Sequence, residues 1–471
     1  MKTLLQKHPG LLLGAGLLSL SLLAAPLAAA GLEAGASQVD ITPPPGLEMY
    51  GFYNRITEHK HATGTLDPLY ARVLVLQAAG QRLALVTLDL GRTFNEAWLQ
   101  RLRDVAKAES GVGALIVTAS HTHSGPNILD IYPNNRPPEW EETALTRISG
   151  AIHELSQHLE PARIGTGFGN ASVGYNRRKV DPEGHATMFW SNPEKVPNGP
   201  VDSTVGVIRI DRDDGSPIAI LVNYACHPTV LGSDNLQYSS DFVGPMASTV
   251  AEAFGGKPVC FFLQGAAGDI NPYFDGTPLA KGGLEKRQWT GHELGAEAAR
   301  VAQGIKAEET SSPSLDFADD VMVFPWRWEP KKFRDDLVRV HGPLVFQDHA
   351  DILAAPTPPG NLELHVTTLL INRQIAIMGM PGEPFVNFQQ GWRDRCPIRT
   401  CFFLGYANGY YDYIPTILAA SQGGYGAADS DTYVAVGAGE RMLDHAVIRA
   451  QRMLGQLSDV PQATPYAPPI R

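Results

Sequence analysis

Ser120-His121-Thr122-His123-Ser124-Gly125-Pro126 places two imidazoles at i and i+2 directly after a short apolar run. Imidazole suits zinc, copper or iron, and both rings reach one site if the backbone turns there. Without that turn the pair is two surface-loop histidines. Asn223-Tyr224-Ala225-Cys226-His227-Pro228-Thr229 runs a second apolar stretch straight into His-Pro. Proline bars regular continuation and favours an extended or turn geometry at His227. A lone histidine in that place is either a satisfied structural residue or a ligand. Pro381-Gly382-Glu383-Pro384 holds a carboxylate between prolines and a glycine after a third run. Buried, it is costly unless paired or metal-bound; the alternative is a solvated loop glutamate.

Two further stretches belong with these. Gly405 to Thr416 contains Tyr406, Tyr410, Tyr411 and Tyr413 ahead of Ile414-Pro415-Thr416. Tyrosines there are packing or substrate-wall residues, unless a cation lowers one phenol from its pKa of about 10 and makes it a ligand. Gln264-Gly265-Ala266-Ala267-Gly268-Asp269-Ile270-Asn271-Pro272 is rich in small residues. It is either a backbone that approaches a ligand closely or a glycine-rich turn.

The elements that position these residues are legible as apolar runs with abrupt polar ends. They are Leu83 to Leu88, Ala114 to Ala119, Ile218 to Cys226, Val259 to Leu263, Ile375 to Met380 and Cys401 to Leu404. Their length and Val, Ile, Leu and Phe content predict buried strands. Leu145, Ile148, Ile152, Leu155 and Leu159 follow helical spacing, and 92–108, 243–255, 288–305 and 438–457 are similar. Alternation of the two predicts an α/β protein with a mixed β-sheet core flanked by helices. Ligands of such sheets gather beyond the carboxyl ends of strands, where these residues lie. The segments 306–314 and 354–360 read as surface loops, and the proline-bearing tail 461–471 as a wrapping or fraying end.

The 471 residues are 44% hydrophobic and 18% charged, a globular composition. Lys2, Lys7 and His8, an apolar run from Leu11 to Ala25, and Ala28-Ala29-Ala30 form the pattern of a secretory signal peptide over residues 1–30. That predicts export to the periplasm or outside the cell, with no stable membrane span after cleavage. The net charge is −11, and −13 without residues 1–30. An acidic surface argues against nucleic acid and anionic membranes as main partners. Cys396 and Cys401 flank a short turn and are placed for a disulfide; Cys226 and Cys260 end apolar runs, where buried thiols are an equal reading.

Taken together the motifs resemble the neutral (non-lysosomal) ceramidase family. The similarity starts near Val39-Asp40-Ile41-Thr42-Pro43, continues through Asp67-Pro68-Leu69-Tyr70-Ala71-Arg72, and includes Tyr175-Asn176-Arg177 with the segments above, in family order. It implies one catalytic domain over 31–471 and a zinc amidase that hydrolyses the N-acyl bond of ceramide. It implies His121, His227, Glu383 and Tyr413 as Zn2+ ligands, with His123 and Arg177 orienting substrate or ligands. The sequence departs from the family in two places. Asn271 stands where the ceramidases carry a serine assigned as nucleophile, and the ceramidases continue into an immunoglobulin-like domain beyond the point where this chain ends.

Asparagine cannot take the covalent role of that serine. The nucleophile expected here is therefore zinc-activated water, with His123 as proton shuttle and Asn271 as an oxyanion donor. Gln264, Gly268, Asp269 and Tyr410 are expected to line the substrate site. The substrate is a lipid or other small N-acyl compound. The alternatives are a zinc hydrolase of a non-lipid amide or ester, and a metal-binding homologue without turnover.

Overall fold

Strands that are apolar at every position need cover on both faces. The computed structural model describes residues 31–130, 136–333, 335 and 360–458. Two stacked sheets with helices outside them provide that cover.

The larger sheet has eight strands: β1 (Glu33–Asp40), β2 (Tyr70–Ala78), β3 (Gln81–Leu88), β4 (Ala114–Ala119), β5 (Glu160–Asn170), β6 (Thr204–Arg212), β7 (Pro217–Tyr224) and β8 (Val259–Gln264). Their order is β8-β7-β6-β5-β1-β2-β3-β4. The β3–β4 and β7–β8 pairs are parallel and the other neighbours antiparallel. The smaller sheet runs β9 (Leu315–Pro325), β10 (Asn361–Ile371), β11 (Ile375–Gly379), β12 (Thr400–Leu404), with only β11–β12 parallel. Leu74, Leu85, Ile208, Leu221 and Phe261 of the first sheet meet Leu369, Ile377 and Phe402 of the second in one apolar layer. The mixed sheet core expected from the sequence is therefore present, divided between two sheets.

Helices α1 (Glu96–Ser110) and α2 (Glu139–Gln157) cover the outer face around β2 to β4. Asn95 caps α1 by accepting from the Trp98 amide at 3.0 Å, and Gly111 ends it in the left-handed region at φ 64°. The Trp98 indole N–H then donates to Glu141 O of α2 at 3.0 Å, so the helix start also sets the helix–helix contact. Helices α3 (Val243–Glu252) and α4 (Gly283–Gly304) cover β6 to β8. Helices α5 (Val386–Arg395) and α7 (Ala438–Met453) cover the smaller sheet, and the short α6 (Ile417–Gln422) lies between them in sequence.

All six expected strands and all five expected helices are present, with ends shifted by a few residues. Strands absent from the sequence reading have a reason to be. In β5, Gly165, Gly167 and Gly169 alternate because α4 and the residues after it pack against the bare backbone. A Cβ at Gly167 would sit 2.9 Å from Ile305 Cγ1 and Val301 Cγ1. The signal that marks a strand, a branched side chain, is what this contact excludes. All four cysteines are free thiols, including Cys396 and Cys401. Residues 306–314 are loop apart from an isolated bridge at Glu308. The expected loop 354–360, except Gly360, the signal peptide and the tail lie outside the described residues. No helix among the described residues is long and apolar enough to cross a membrane.

Candidate metal centre

Each parallel pair sets two carboxyl ends side by side, and the chemistry follows from what comes next in the chain. β4 leads into His121, β7 into His227, β8 ends on Gln264, β11 leads to Glu383, and β12 leads to Tyr406. The turn demanded by the His-x-His pair is real: His121 has φ 69°, a left-handed conformation that a non-glycine residue holds only when its surroundings impose it. His121 N donates to Leu90 O at 2.9 Å and His123 N to Pro228 O at 3.3 Å, which joins the first histidine motif to the second.

His121 Nε2 lies 3.3 Å from Glu383 Oε2, and His227 Nε2 lies 3.1 Å from the same oxygen. His123 Nε2 is 3.2 Å from His121 Nε2. One nitrogen from each of the three imidazoles falls within 4.8 Å of the others. The opposite ring nitrogens of two of them are committed. His121 Nδ1 faces Gly91 O at 2.5 Å and His227 Nδ1 faces Ile270 O at 3.1 Å. A ring nitrogen facing a carbonyl carries the proton, so both Nε2 atoms present lone pairs to a carboxylate oxygen. Three acceptors pointed at one another repel unless a cation lies among them. Their separations of 3.1–3.3 Å match the edge of a zinc tetrahedron, about 3.3 Å for ligand bonds of about 2.0–2.1 Å. The donor set of two imidazoles and a carboxylate thus fits a zinc ion.

Burial disfavours the charged form of two imidazoles of the cluster. Burial, reinforced by Arg177, pushes the His227 imidazole down to about 4. Burial and the other two imidazoles hold His123 well below its ordinary value. Tyr410 OH donates to Glu383 Oε1 at 2.5 Å and lies 2.7 Å from Tyr50 OH; Tyr406 OH is 3.5 Å from Glu383 Oε2. The Tyr406 ring stacks on His121 at 4.4 Å.

The other residues singled out in the sequence form the walls. Tyr413 pairs its backbone with Glu383, and its hydroxyl lies 3.4 Å from Tyr425 OH. Tyr411 points away, donating to Glu363 O. Arg177 donates to Asn271 Oδ1 at 3.1 Å and Gly268 O at 2.7 Å, and its guanidinium lies over the rings of Tyr413 and Tyr425. Asn271 also hydrogen-bonds Asp275, whose carboxyl burial raises to about 7. Both oxygens of Asp269 are taken, by the Val386 amide at 2.8 Å and Asn176 Nδ2 at 2.6 Å. Gly268 passes directly beneath Glu383: a Cβ there would collide with the Glu383 carbonyl and sit 2.9 Å from Pro384 O.

Gln264 is buried and fully committed. Its Nε2 donates to Ser120 O and Cys226 O, both at 2.8 Å, and its Oε1 accepts from Cys226 N and Gly265 N. It therefore ties together the residues immediately before His121 and His227. The main chain of Gln264 adds a third tie, accepting from Gly405 N at 3.0 Å, just before Tyr406.

Three residues near the cluster were not singled out from the sequence. Tyr50 lies edge-on to His121 and His123, with ring centroids 5.6 Å away in each case. Phe52 packs on His123 at 5.3 Å. Arg55 is buried and donates to the carbonyls of Tyr50, His123, Gly232, Ser233 and Asn235. The available signal was glycine: a Cβ at Gly51 would overlap the His123 ring, and one at Gly91 the Tyr50 ring.

Fold and site together define an α/β protein with a buried imidazole–carboxylate cluster at the carboxyl ends of its strands. The chain belongs to the neutral/alkaline non-lysosomal ceramidase family, whose N-terminal region matches residues 32–312. It is 25% identical over 231 residues to neutral ceramidase A of Dictyostelium discoideum, covering 43% of this chain and 30% of that one. It is 25% identical over 247 residues to a neutral ceramidase of Mycobacterium tuberculosis, covering 47% and 37%. The matched stretch is thus about a third of each relative's length. The crystal structure of the Pseudomonas aeruginosa neutral ceramidase shares the fold at a TM-score of 0.70 and 20% identity, over 93% of this chain and 76% of that one. A ceramidase complexed with C2 aligns with a TM-score of 0.69 and 20% identity, over 92% and 77%.

Proposed function

We propose that this protein is an exported zinc-dependent amidohydrolase that cleaves the N-acyl bond of ceramide or a related N-acyl lipid. The observation that carries this reading is the convergence of His121 Nε2, His227 Nε2 and Glu383 Oε2, whose own lone pairs face one another. The family pattern adds Tyr413 as fourth ligand, and its backbone pairing with Glu383 supports that placement.

When bound, zinc polarises an acyl carbonyl and lowers the pKa of water to about 7. Tyr410, kept protonated by burial and by Glu383, holds the carboxylate in register from the other side. His123 is neutral and turns its Nε2 toward the cluster, 3.2 Å from His121 Nε2, where it takes a proton from attacking water and passes it to the leaving nitrogen. Arg177 fixes Asn271 through its side-chain oxygen, which leaves the amide N–H2 group to face Asp275 and the developing oxyanion.

The test is hydrolysis of N-acylsphingosines of graded acyl length and of water-soluble N-acyl amides by the zinc-loaded enzyme and by Asn271→Ser. With water as nucleophile, wild type turns over the long-chain amides and Asn271→Ser stays within about tenfold of it. An inactive wild type with a gain of more than about 100-fold in Asn271→Ser would mean that catalysis needs the missing hydroxyl, and that the natural chain is a metal-binding homologue without turnover.

A further inference from the structure

We infer that the rim around this site is a lipid-docking surface that seats the enzyme on net-neutral bilayers. The inference extends the lipid-amide reading by naming where the enzyme meets its substrate.

Three neighbouring pieces form the rim. Trp190 is 49% exposed, yet its ring is 5.4 Å from that of Tyr425 and its face lies under the Arg177 guanidinium. Tyr425 in turn contacts Tyr413, so Trp190 stands two rings out from the strand that carries Glu383. Helix α6 follows Tyr413 directly and presents Ile417 at 54% and Leu418 at 66% exposure. The hairpin of Arg178–Val180 with Ala186–Met188 completes the group with Val180 at 42%. It is locked to α6 by Arg178 Nη2 donating to Ala419 O at 3.3 Å, and Gly424 packs against Ala186. Exposed apolar residues scattered singly need no explanation, but several on adjoining elements within two ring contacts of the cluster's strands do.

Charge selects the occupant. Ile417 to Gly426 contains no charged residue, and 178–196 balances Arg178, Lys179 and Lys195 against Asp181, Glu183 and Glu194. A neutral rim on a chain of net charge −11 has no attraction for anionic lipid. Aromatic and aliphatic side chains on an uncharged segment suit the headgroup–acyl boundary of a zwitterionic bilayer.

Flotation with pure phosphatidylcholine vesicles, in the absence of substrate, tests this. Wild type is expected to float with the vesicles, and Ile417→Gln/Leu418→Gln to lose at least about tenfold in partitioning. Both positions are exposed, so the variant keeps the wild-type melting temperature and its rate on a water-soluble N-acyl amide within about twofold. Failure of wild type to float, equal flotation of the variant, or binding that appears only when phosphatidylserine is added would overturn the inference. So would a dimer of wild type that the variant abolishes, because the rim would then be a self-association face. Flotation without any amide hydrolysis would keep the docking surface and sink the hydrolase reading; hydrolysis without flotation would do the reverse.

Discussion

Glu383→Gln is expected to give a folded protein that has lost zinc and at least about 1000-fold of its activity, about 4 kcal/mol of transition-state stabilisation. The wild-type carboxylate faces His121 Nε2 and His227 Nε2 at 3.3 and 3.1 Å, acceptor against acceptor. An amide NH2 in the same place donates to those nitrogens and satisfies the cluster without a cation. The other amide atom still accepts from Tyr410, so packing around the site is retained. Ala at the same position would instead leave the Tyr410 hydroxyl without its acceptor, a buried loss of about 1–3 kcal/mol. Thermal melts separate the cases. Zinc added to chelator-treated wild type raises its stability, by about 4 kcal/mol at a concentration a thousand times the dissociation constant. The same addition to Glu383→Gln gives no shift. A zinc-dependent shift of wild-type size in that variant would mean that the carboxylate is not a ligand.

Gly268→Ala is the second large effect. The added methyl would overlap the Glu383 carbonyl oxygen and sit 3.0 Å from the Glu383 carbonyl carbon and 2.9 Å from Pro384 O. These are backbone atoms, fixed on one side by Gly268 N donating to Pro384 O at 2.9 Å and on the other by Glu383 N donating to Asp412 O at 2.7 Å. No rotamer change relieves the clash, so the strand bearing Glu383 moves. Overpacking of this kind costs about 1–3 kcal/mol, and a shift of about 1 Å at a reacting centre costs about 100-fold in rate. Gly150→Ala is the control. Gly150 sits in α2 with nothing within 4 Å of its Cβ position, and alanine there is expected to stabilise by about 0.5–1 kcal/mol. Denaturant melts and steady-state rates of the two variants check both expectations; equal, small effects would mean that the Gly268–Glu383 contact does not set the site.

The sequence was readable where burial is two-sided and opaque where it is not. Ala114–Ala119 and Val259–Gln264 are buried nearly throughout, so their composition alone marks them as strands. Leu315–Pro325 runs along the edge of the smaller sheet, carries three aspartates, and has Val321 and Val323 on the outside. Its apolar and polar positions do not report a core face, and it was not read as a strand. The His-x-His, His-Pro and Gly-Glu-Pro motifs were found because proline, glycine and a polar residue interrupt apolar runs abruptly. Tyr50 and Arg55 interrupt nothing. They reach the cluster across more than sixty positions of chain, a proximity that periodicity does not encode. Gln264 and Asp269 were expected to meet substrate, because small residues surround them. In the fold their polar atoms are spent on backbone and on Asn176, bracing the strand ends that hold His121, His227 and Glu383.

The most direct test is elemental analysis of wild-type protein purified without chelator and dialysed against metal-free buffer, with His121→Ala and His227→Ala treated alongside. About one zinc per wild-type chain is expected, and less than about a tenth of that in either variant. A wild type that retains no metal, or variants that retain as much as wild type, would mean that these imidazoles do not hold a zinc ion.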